Sequence, residues 1–307
     1  MFDDHKKKIL ITGVSGLLGN NLAYYSRERY TTAGLYCSHA MTLTGVDTHQ
    51  VDLLKRGEFE EVVGEFKPDI LIHCAALADV DQCEINPVLA EQLNVAATRN
   101  VVDTIAKNSA VKLVYISTDA VYDGKQGNYR EDAPVNPLSV YARTKYEGEQ
   151  IAARRADSLI VRTSFFGWNF FDKRCFAERV LQDLAAKKNV PGFTDVSSSQ
   201  IYTFDLAGLL EQALKKNLCG VYHFAGRTAL SKYEFAVEVA VAAGLDASLI
   251  QRTSSDDASL KARRSKNLSL DTTKLARSLG TVVPTMPDSI RNFCKDFKTG
   301  LPQKIRP

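Results

Sequence analysis

The sequence predicts an α/β fold: a doubly wound parallel sheet with a smaller C-terminal lobe. Three observations carry that expectation. The first half of the chain alternates short apolar runs with amphipathic stretches at helical spacing. A glycine-rich loop joins the first apolar run to the first helical one. The second half loses this regularity and becomes aromatic, serine-rich and basic in successive segments. Strictly repeating strand–helix units place helices on both faces of a sheet, the usual setting of parallel strands.

Taken in order, strands are expected at residues 8–12, 32–37, 69–74, 112–117 and 159–162, all short apolar runs. Helical patterns fall between them at 17–29, 55–66, 87–108 and 140–154. Val221-Tyr-His-Phe224 reads as one more buried strand, returning late. Residues 165–176 are aromatic-rich, 195–200 serine-rich, and 253–266 basic and loop-like; 286–298 has the pattern of a last helix.

The bulk numbers exclude several classes. At 307 residues the chain can form one large α/β domain with a lobe. Hydrophobic content of 45% and charged content of 24% are those of an ordinary globular protein. A formal charge of +3 is too small to imply a nucleic-acid or membrane partner, and Lys6-Lys-Lys8 reads as a solvated lead-in to the first strand. No apolar run approaches the ~20 residues of a membrane span. Met1-Phe-Asp-Asp-His5 carries acids where a signal peptide carries basic residues. The six cysteines show no CxxC pair, and Cys37, Cys74 and Cys219 lie in or beside apolar runs, where a reduced thiol packs as a small hydrophobe. The expectation is a reduced, cytoplasmic protein without a structural metal.

Ile9-Leu-Ile-Thr-Gly13-Val-Ser15-Gly16-Leu17-Leu18-Gly19 reads as strand, turn and helix start. In that setting the glycines let backbone approach a pyrophosphate, and the helix N-terminus supplies free N–H groups. A Rossmann-type dinucleotide-binding domain is therefore expected at 1–164, with 204–230 returning to it, and a substrate-binding lobe at 165–203 and 231–307. The second strand ends Cys37-Ser38-His39 with no Asp or Glu to hold ribose hydroxyls. A carboxylate there would repel a 2′-phosphate, so NADP(H) is favoured and NAD(H) stays open. Ser38 and His39 are candidates for that phosphate, and Asp52 and Leu53 for the adenine end. Cys74, Ala75 and Ala76 are small enough for close passage of a cofactor.

The chemistry is expected at Tyr141 and Lys145, four residues apart and so on one helical face. A neighbouring ammonium favours phenolate and is expected to lower the tyrosine pKa. A phenol tuned in this way can exchange a proton with a carbonyl or alcohol oxygen, which the Thr118 hydroxyl could hold. With a nicotinamide nearby this is carbonyl reduction by hydride transfer.

The residues quoted above, with Pro68-Asp-Ile-Leu-Ile-His-Cys74-Ala-Ala76, Val80-Asp-Gln-Cys-Glu84, Asn94, Ile116-Ser-Thr-Asp119, Tyr141-Ala-Arg-Thr-Lys145 and Arg162-Thr-Ser164, resemble the extended short-chain dehydrogenase/reductase family. Within it the chain is similar to the dTDP-4-dehydrorhamnose reductases. That resemblance implies a catalytic trio of Thr118, Tyr141 and Lys145, with Tyr141 as proton donor and Lys145 also holding the nicotinamide ribose. It implies cofactor contacts at Asn94, Ser117 and Thr163, and a nucleotide-sugar in the second lobe near Asp119, Phe165 and Trp168. It also leaves room for a homodimer.

Departures from the pattern fall on the substrate side. Leu77-Ala78 replace an aromatic and a threonine. Ala120 replaces a tyrosine, with Tyr122 two residues on, and Phe165 replaces a tryptophan, with Trp168 close by. Ser198-Ser-Gln-Ile201 stands where Gly-Ser-Pro-Thr would be. A dehydratase would carry Glu after Asp119, so Ala120 weighs against that variant. The same trio is also compatible with a nucleotide-sugar epimerase, and with a cofactor-binding regulatory subunit similar to the β subunit of methionine adenosyltransferase. His73 and His223 read as core histidines, and Tyr202 and Asp205 as packing and capping residues. Arg263 and Arg264 are candidates for a diphosphate.

Overall fold

The computed structural model describes residues 6–106, 110–171, 174–257 and 265–305. Seven parallel strands form one sheet: Lys8–Thr12 (β1), Thr31–Tyr36 (β2), Asp47–Gln50 (β3), Ile70–His73 (β4), Lys112–Ile116 (β5), Leu159–Arg162 (β6) and Gly220–His223 (β7). Their order across the sheet is β3-β2-β1-β4-β5-β6-β7. The order reverses between β1 and β4, which opens a crevice at their carboxyl ends.

Strand periodicity explains why the sheet is covered on both faces. Ile9 and Ile11 of β1, Ile70 and Ile72 of β4, and Leu159 and Val161 of β6 point into one core. Their neighbours Leu10, Leu71 and Ile160 point into the other. Leu18 and Leu22 of the helix Leu17–Ser26 and Leu206, Leu209 and Leu210 of Thr203–Lys215 close the first core. Phe59 of Arg56–Phe66, Val101, Val102 and Ile105 of Ala97–Ala106, and Ile151 of Val140–Ala152 close the second.

The expected helix at 87–108 is broken into Pro87–Glu91, a π turn at Gln92–Ala96, and Ala97–Ala106. At that turn the Asn94 carboxamide takes the Leu77 N–H at 2.8 Å and donates to Thr144 Oγ1 at 3.0 Å. The interruption thus ties the loop after β4 to the helix Val140–Ala152. Gly148 lets that helix come close: a Cβ there would lie 2.2 Å from Tyr115 Oη and 2.8 Å from Asn94 O.

Beside the sheet, and sharing its first core, pack Phe176–Ala185, Lys232–Ala243 and Met286–Lys298, with short strand pairs between them. Ser197–Ser198 lies between Leu230–Ser231 and Asn267–Leu268, and Val190–Phe193 pairs with Ile250–Thr253. Among the described residues no helix is long and apolar enough to cross a membrane. All six cysteines are unpaired; Cys37 and Cys219 are exposed, contrary to the expectation that they pack, because both lie just outside their strands.

A buried ion pair joins the helix Val140–Ala152 to the sheet. Arg162, at the end of β6, places Nη2 2.5 Å and Nε 3.1 Å from the two oxygens of Glu149. The same carboxylate accepts from Ser117 Oγ at 2.9 Å, and Arg162 Nη1 donates to Tyr122 Oη at 2.6 Å. Removing one partner leaves the other charged and buried. Glu149→Gln is therefore expected to cost about 3–5 kcal/mol, read as a lower urea midpoint. A loss below about 1 kcal/mol would show that the pair does not hold the helix in place.

Candidate active site

The glycine loop closes around the crevice between β1 and β4. Gly13 has φ +68°, and a Cβ there would sit 2.7 Å from Ala75 Cα, so only glycine allows this contact. A Cβ on Gly19 would strike Gly13 O at 2.3 Å. Gly16 is different: it is exposed, and its Cβ would meet only Gly13 O, at 3.3 Å. No side chain caps the helix Leu17–Ser26, whose first N–H groups are therefore left for an anionic ligand. Ser15 and Leu17 are half-buried at this mouth; Leu18 is in the core and offers only its backbone.

The floor of the crevice is set by a directed hydrogen-bond chain. Ala75 N–H donates to Thr12 Oγ1 at 3.3 Å, and that hydroxyl donates to His73 Nδ1 at 2.7 Å. His73 Nε2–H then meets Thr98 Oγ1 at 3.0 Å, and Thr98 donates to Asn94 O at 2.7 Å. Burial pushes His73 down to about 3, so it is the neutral core histidine expected from its strand. Cys74 and Ala75, beyond β4, lie beside Gly13, and Ala76 follows them. Ser38 and His39 are exposed at the end of β2 and bond each other at 2.9 Å. Asp52 follows β3, where its carboxylate accepts from Leu54 N at 3.0 Å, and Leu53 is in the core.

Thr118, Asp119, Tyr141, Thr163 and Phe165 line one cavity of about 420 Å³ above the carboxyl ends of β5 and β6. Ser139 starts the helix by accepting from Ala142 N at 3.2 Å, which fixes Tyr141 in its first turn. Thr118 Oγ1 donates to Asp119 Oδ1 at 3.2 Å. Thr163 is buried and its hydroxyl has no partner, an orphan that a cofactor amide would satisfy. With the open face of Gly16, this orphan makes the crevice fit for a nicotinamide dinucleotide.

Burial dominates the electrostatics here. It pushes Tyr141 up to about 12, with the Thr118 hydroxyl working against the rise. The expected lowering of the tyrosine by Lys145 is therefore corrected. Lys145 does not line the cavity: its ammonium lies 4.4 Å from the Tyr115 ring centroid. Burial brings Lys145 down to about 8, opposed by Cys74 and Glu149. Asp119 is raised to about 7, again by burial, with Thr118 and Lys232 opposing.

Further assignments are corrected as well. Trp168 is 3% exposed and stacks on Phe293 at 4.0 Å, so it belongs to the aromatic core and not to the cavity. Tyr122 is buried against Tyr129 and His223 and does not replace the tyrosine absent at Ala120, which itself lines the cavity. Asn94 spends its amide on Leu77 and Thr144, and Ser117 spends its hydroxyl on Glu149, so both hold the protein together. Tyr202 donates to Asp296, and Asp205 accepts from Ser289, as packing residues do. Arg263 and Arg264 lie outside the described residues, as do 107–108 of the expected helix.

Sequence reasoning missed the far wall: Val80, Leu138, Phe193, Val196, Gln200 and Lys232 come from four separate segments. No local pattern marks them, apart from the odd Ser198–Ile201 stretch. Among the described residues no cluster of His, Cys, Asp and Glu could hold a metal.

Comparison with known proteins adds to this geometry. Residues 7–299 match the RmlD substrate binding domain family. A dTDP-4-dehydrorhamnose reductase of Aggregatibacter actinomycetemcomitans is 30% identical over 93% of this chain and 98% of its own. The methionine adenosyltransferase 2 subunit beta of Mus musculus is 28% identical over 98% of this chain and 88% of its own. The structure of a dTDP-4-dehydrorhamnose reductase from Bacillus anthracis in complex with NADP superposes with a TM-score of 0.83 at 26% identity, covering 96% and 99% of the two chains.

Gly16→Val should leave the fold largely intact, because its Cβ meets only Gly13 O, at 3.3 Å, a contact that a shift of a few tenths of an ångström relieves, and should abolish dinucleotide binding in calorimetric titration. Wild-type affinity in a folded variant would remove the pyrophosphate from this loop. Asp119 generates a second expectation. Its folded pKa is raised, so its stabilising effect is complete below pH 4 and is lost as pH rises to about 7. The loss is roughly 4 kcal/mol at most, and Asp119→Asn should flatten it in urea unfolding between pH 4 and 8. An unchanged pH profile would mean that Asp119 ionises freely.

Proposed function

We propose, from the premise that this chain belongs to the RmlD substrate binding domain family, that it is an NADP(H)-dependent reductase of a 4-keto nucleotide-sugar. The chain is an NAD(P)-dependent oxidoreductase of the dTDP-4-dehydrorhamnose reductase kind; the sugar, the preferred cofactor and the residue roles are the finer reading. One observation carries it: Thr118, Asp119, Tyr141 and Thr163 share a cavity at the carboxyl ends of β5 and β6, the same end of the sheet as the glycine loop after β1.

When bound, the nicotinamide supplies the hydride. Tyr141, kept protonated by burial, gives its proton to the carbonyl oxygen. The Thr118 hydroxyl, fixed beside Asp119, positions that oxygen. Lys145, buried near Cys74 just beyond β4, would hold the ribose, and the unpartnered Thr163 hydroxyl would receive the carboxamide. The N–H groups from Gly16 onward would hold the pyrophosphate. The absence of an acid at Ser38-His39 supports NADP(H) over NAD(H).

A second reading, a cofactor-binding regulatory subunit, is supported by the mouse relative and by Ala120, which removes a tyrosine from the cavity wall. Oxidation of NADPH by dTDP-4-dehydrorhamnose, followed by nicotinamide absorbance, separates the two. For the reductase, Tyr141→Phe should lower kcat by about 10²- to 10⁴-fold with NADPH affinity little changed. A variant that keeps wild-type kcat removes Tyr141 as proton donor. Tight NADPH binding without oxidation of any 4-keto nucleotide-sugar favours the regulatory subunit.

A further inference from the structure

Lys232 opens the helix Lys232–Ala243, directly after the Ser231 cap, and its side chain reaches the cavity. It is the one cation among the described lining residues. Among the described residues its ammonium has a single acceptor, Gln200 Oε1 at 3.4 Å, which is long for a hydrogen bond. The Phe176 ring centroid lies 5.1 Å away. Among the described residues no carboxylate is within ion-pairing distance of it. Lys266 shows the contrast: it bridges Asp195 at 2.6 Å and Asp256 at 2.5 Å.

An ammonium drawn from water without a counterion is unfavourable, and such groups gather where a ligand supplies the missing charge. Burial pushes the Lys232 pKa down, and Asp119 is the first of the groups that oppose it. Gln200 Nε2 donates to Ser164 Oγ at 3.2 Å, next to Thr163, and Gln200 and Ser198 belong to the stretch that departs from the rhamnose reductases.

We propose that Lys232 is the anion-binding residue of this cavity, its ammonium taking an anionic oxygen of the nucleotide-sugar, from the diphosphate or from a carboxylate on the sugar ring. The assignment of the ligand rests on the nucleotide-sugar reading above. Lys232 faces Asp119 on one side and the Gln200–Ser164 pair on the other, so the bound anion lies near the reacting end of the cavity.

Calorimetric titration of the full chain with saturating NADP+ tests this, using UDP-glucose, dTDP-glucose, UDP-glucuronate and inorganic pyrophosphate as probes. Lys232→Met should weaken pyrophosphate and all three nucleotide-sugars at least tenfold if the diphosphate is the source, with Lys232→Arg restoring most of the loss. If the ring carboxylate is the source, UDP-glucuronate binds tighter than UDP-glucose, and only that advantage disappears in Lys232→Met. Cofactor affinity should be unchanged and Tm should rise, because an unpaired ammonium is removed; a merely structural lysine would lower Tm. Lys232→Gln repeats the test should the methionine variant not fold. Equal affinity of wild type and variants for every probe overturns the proposal, as does a wild type that binds none. Lys232-dependent pyrophosphate binding without any nucleotide-sugar binding keeps the anion site and removes the nucleotide-sugar reading.

Discussion

The buried pair of Arg162 and Glu149 is the constraint on which the site depends. Glu149 lies two turns beyond Tyr141 on one helix, and Arg162 ends the strand that precedes Thr163. Ser117, bound to the same carboxylate, precedes Thr118 on the neighbouring strand. A single charged contact therefore sets the distance between three segments that each carry cavity residues. The bidentate fork has one geometry and no equivalent neighbour. Tyr122 and the Glu131 carbonyl take guanidinium N–H groups that the carboxylate does not, which makes the burial tolerable.

Desolvation explains the protonation states around that frame. Tyr141 is raised, Lys145 lowered and Asp119 raised, and burial is the leading cause each time. Each shift disfavours the charged form, as a poorly solvated cavity requires. For a proton donor this is useful. A phenol that must deliver a proton during reduction is best kept protonated until the carbonyl oxygen gains negative charge. A strongly acidified tyrosine would be spent before the substrate arrived. The low polarity also strengthens any interaction made with a charge that enters, which is why the unpaired Lys232 matters more here than on the surface.

The dinucleotide half was legible in the sequence because its signals are local. A glycine loop after a strand, small residues after another, and Tyr141 and Lys145 at helical spacing each need only a few consecutive residues. Individual contacts were not legible. Asn94 and Ser117 sit in motif positions, yet their side chains are used within the protein, and only the neighbours of Thr144 and Glu149 reveal it. Trp168 was misplaced because an aromatic run has no direction in sequence; Phe293, far along the chain, draws it into the core. The far wall was invisible for a similar reason, since Val80, Leu138, the 193–200 stretch and Lys232 are far apart in the chain and meet only in the fold.

This division has a consequence for specificity. The reacting end is assembled by the sheet and by one helix locked to it, so substitutions there disturb the fold and the chemistry together. The far wall is carried by two-residue strands and helix starts: Ser197–Ser198 between two partners, Gln200 before Ile201–Tyr202, and Lys232 at the first position of its helix. At such positions a side chain can change while the backbone hydrogen bonds that hold the segment stay intact. Lys232 N still donates to Val196 O, and Ser231 still caps the helix, whatever residue stands at 232. The Gln200–Lys232 wall is therefore the part of the cavity that can vary without disturbing the residues fixed to the sheet.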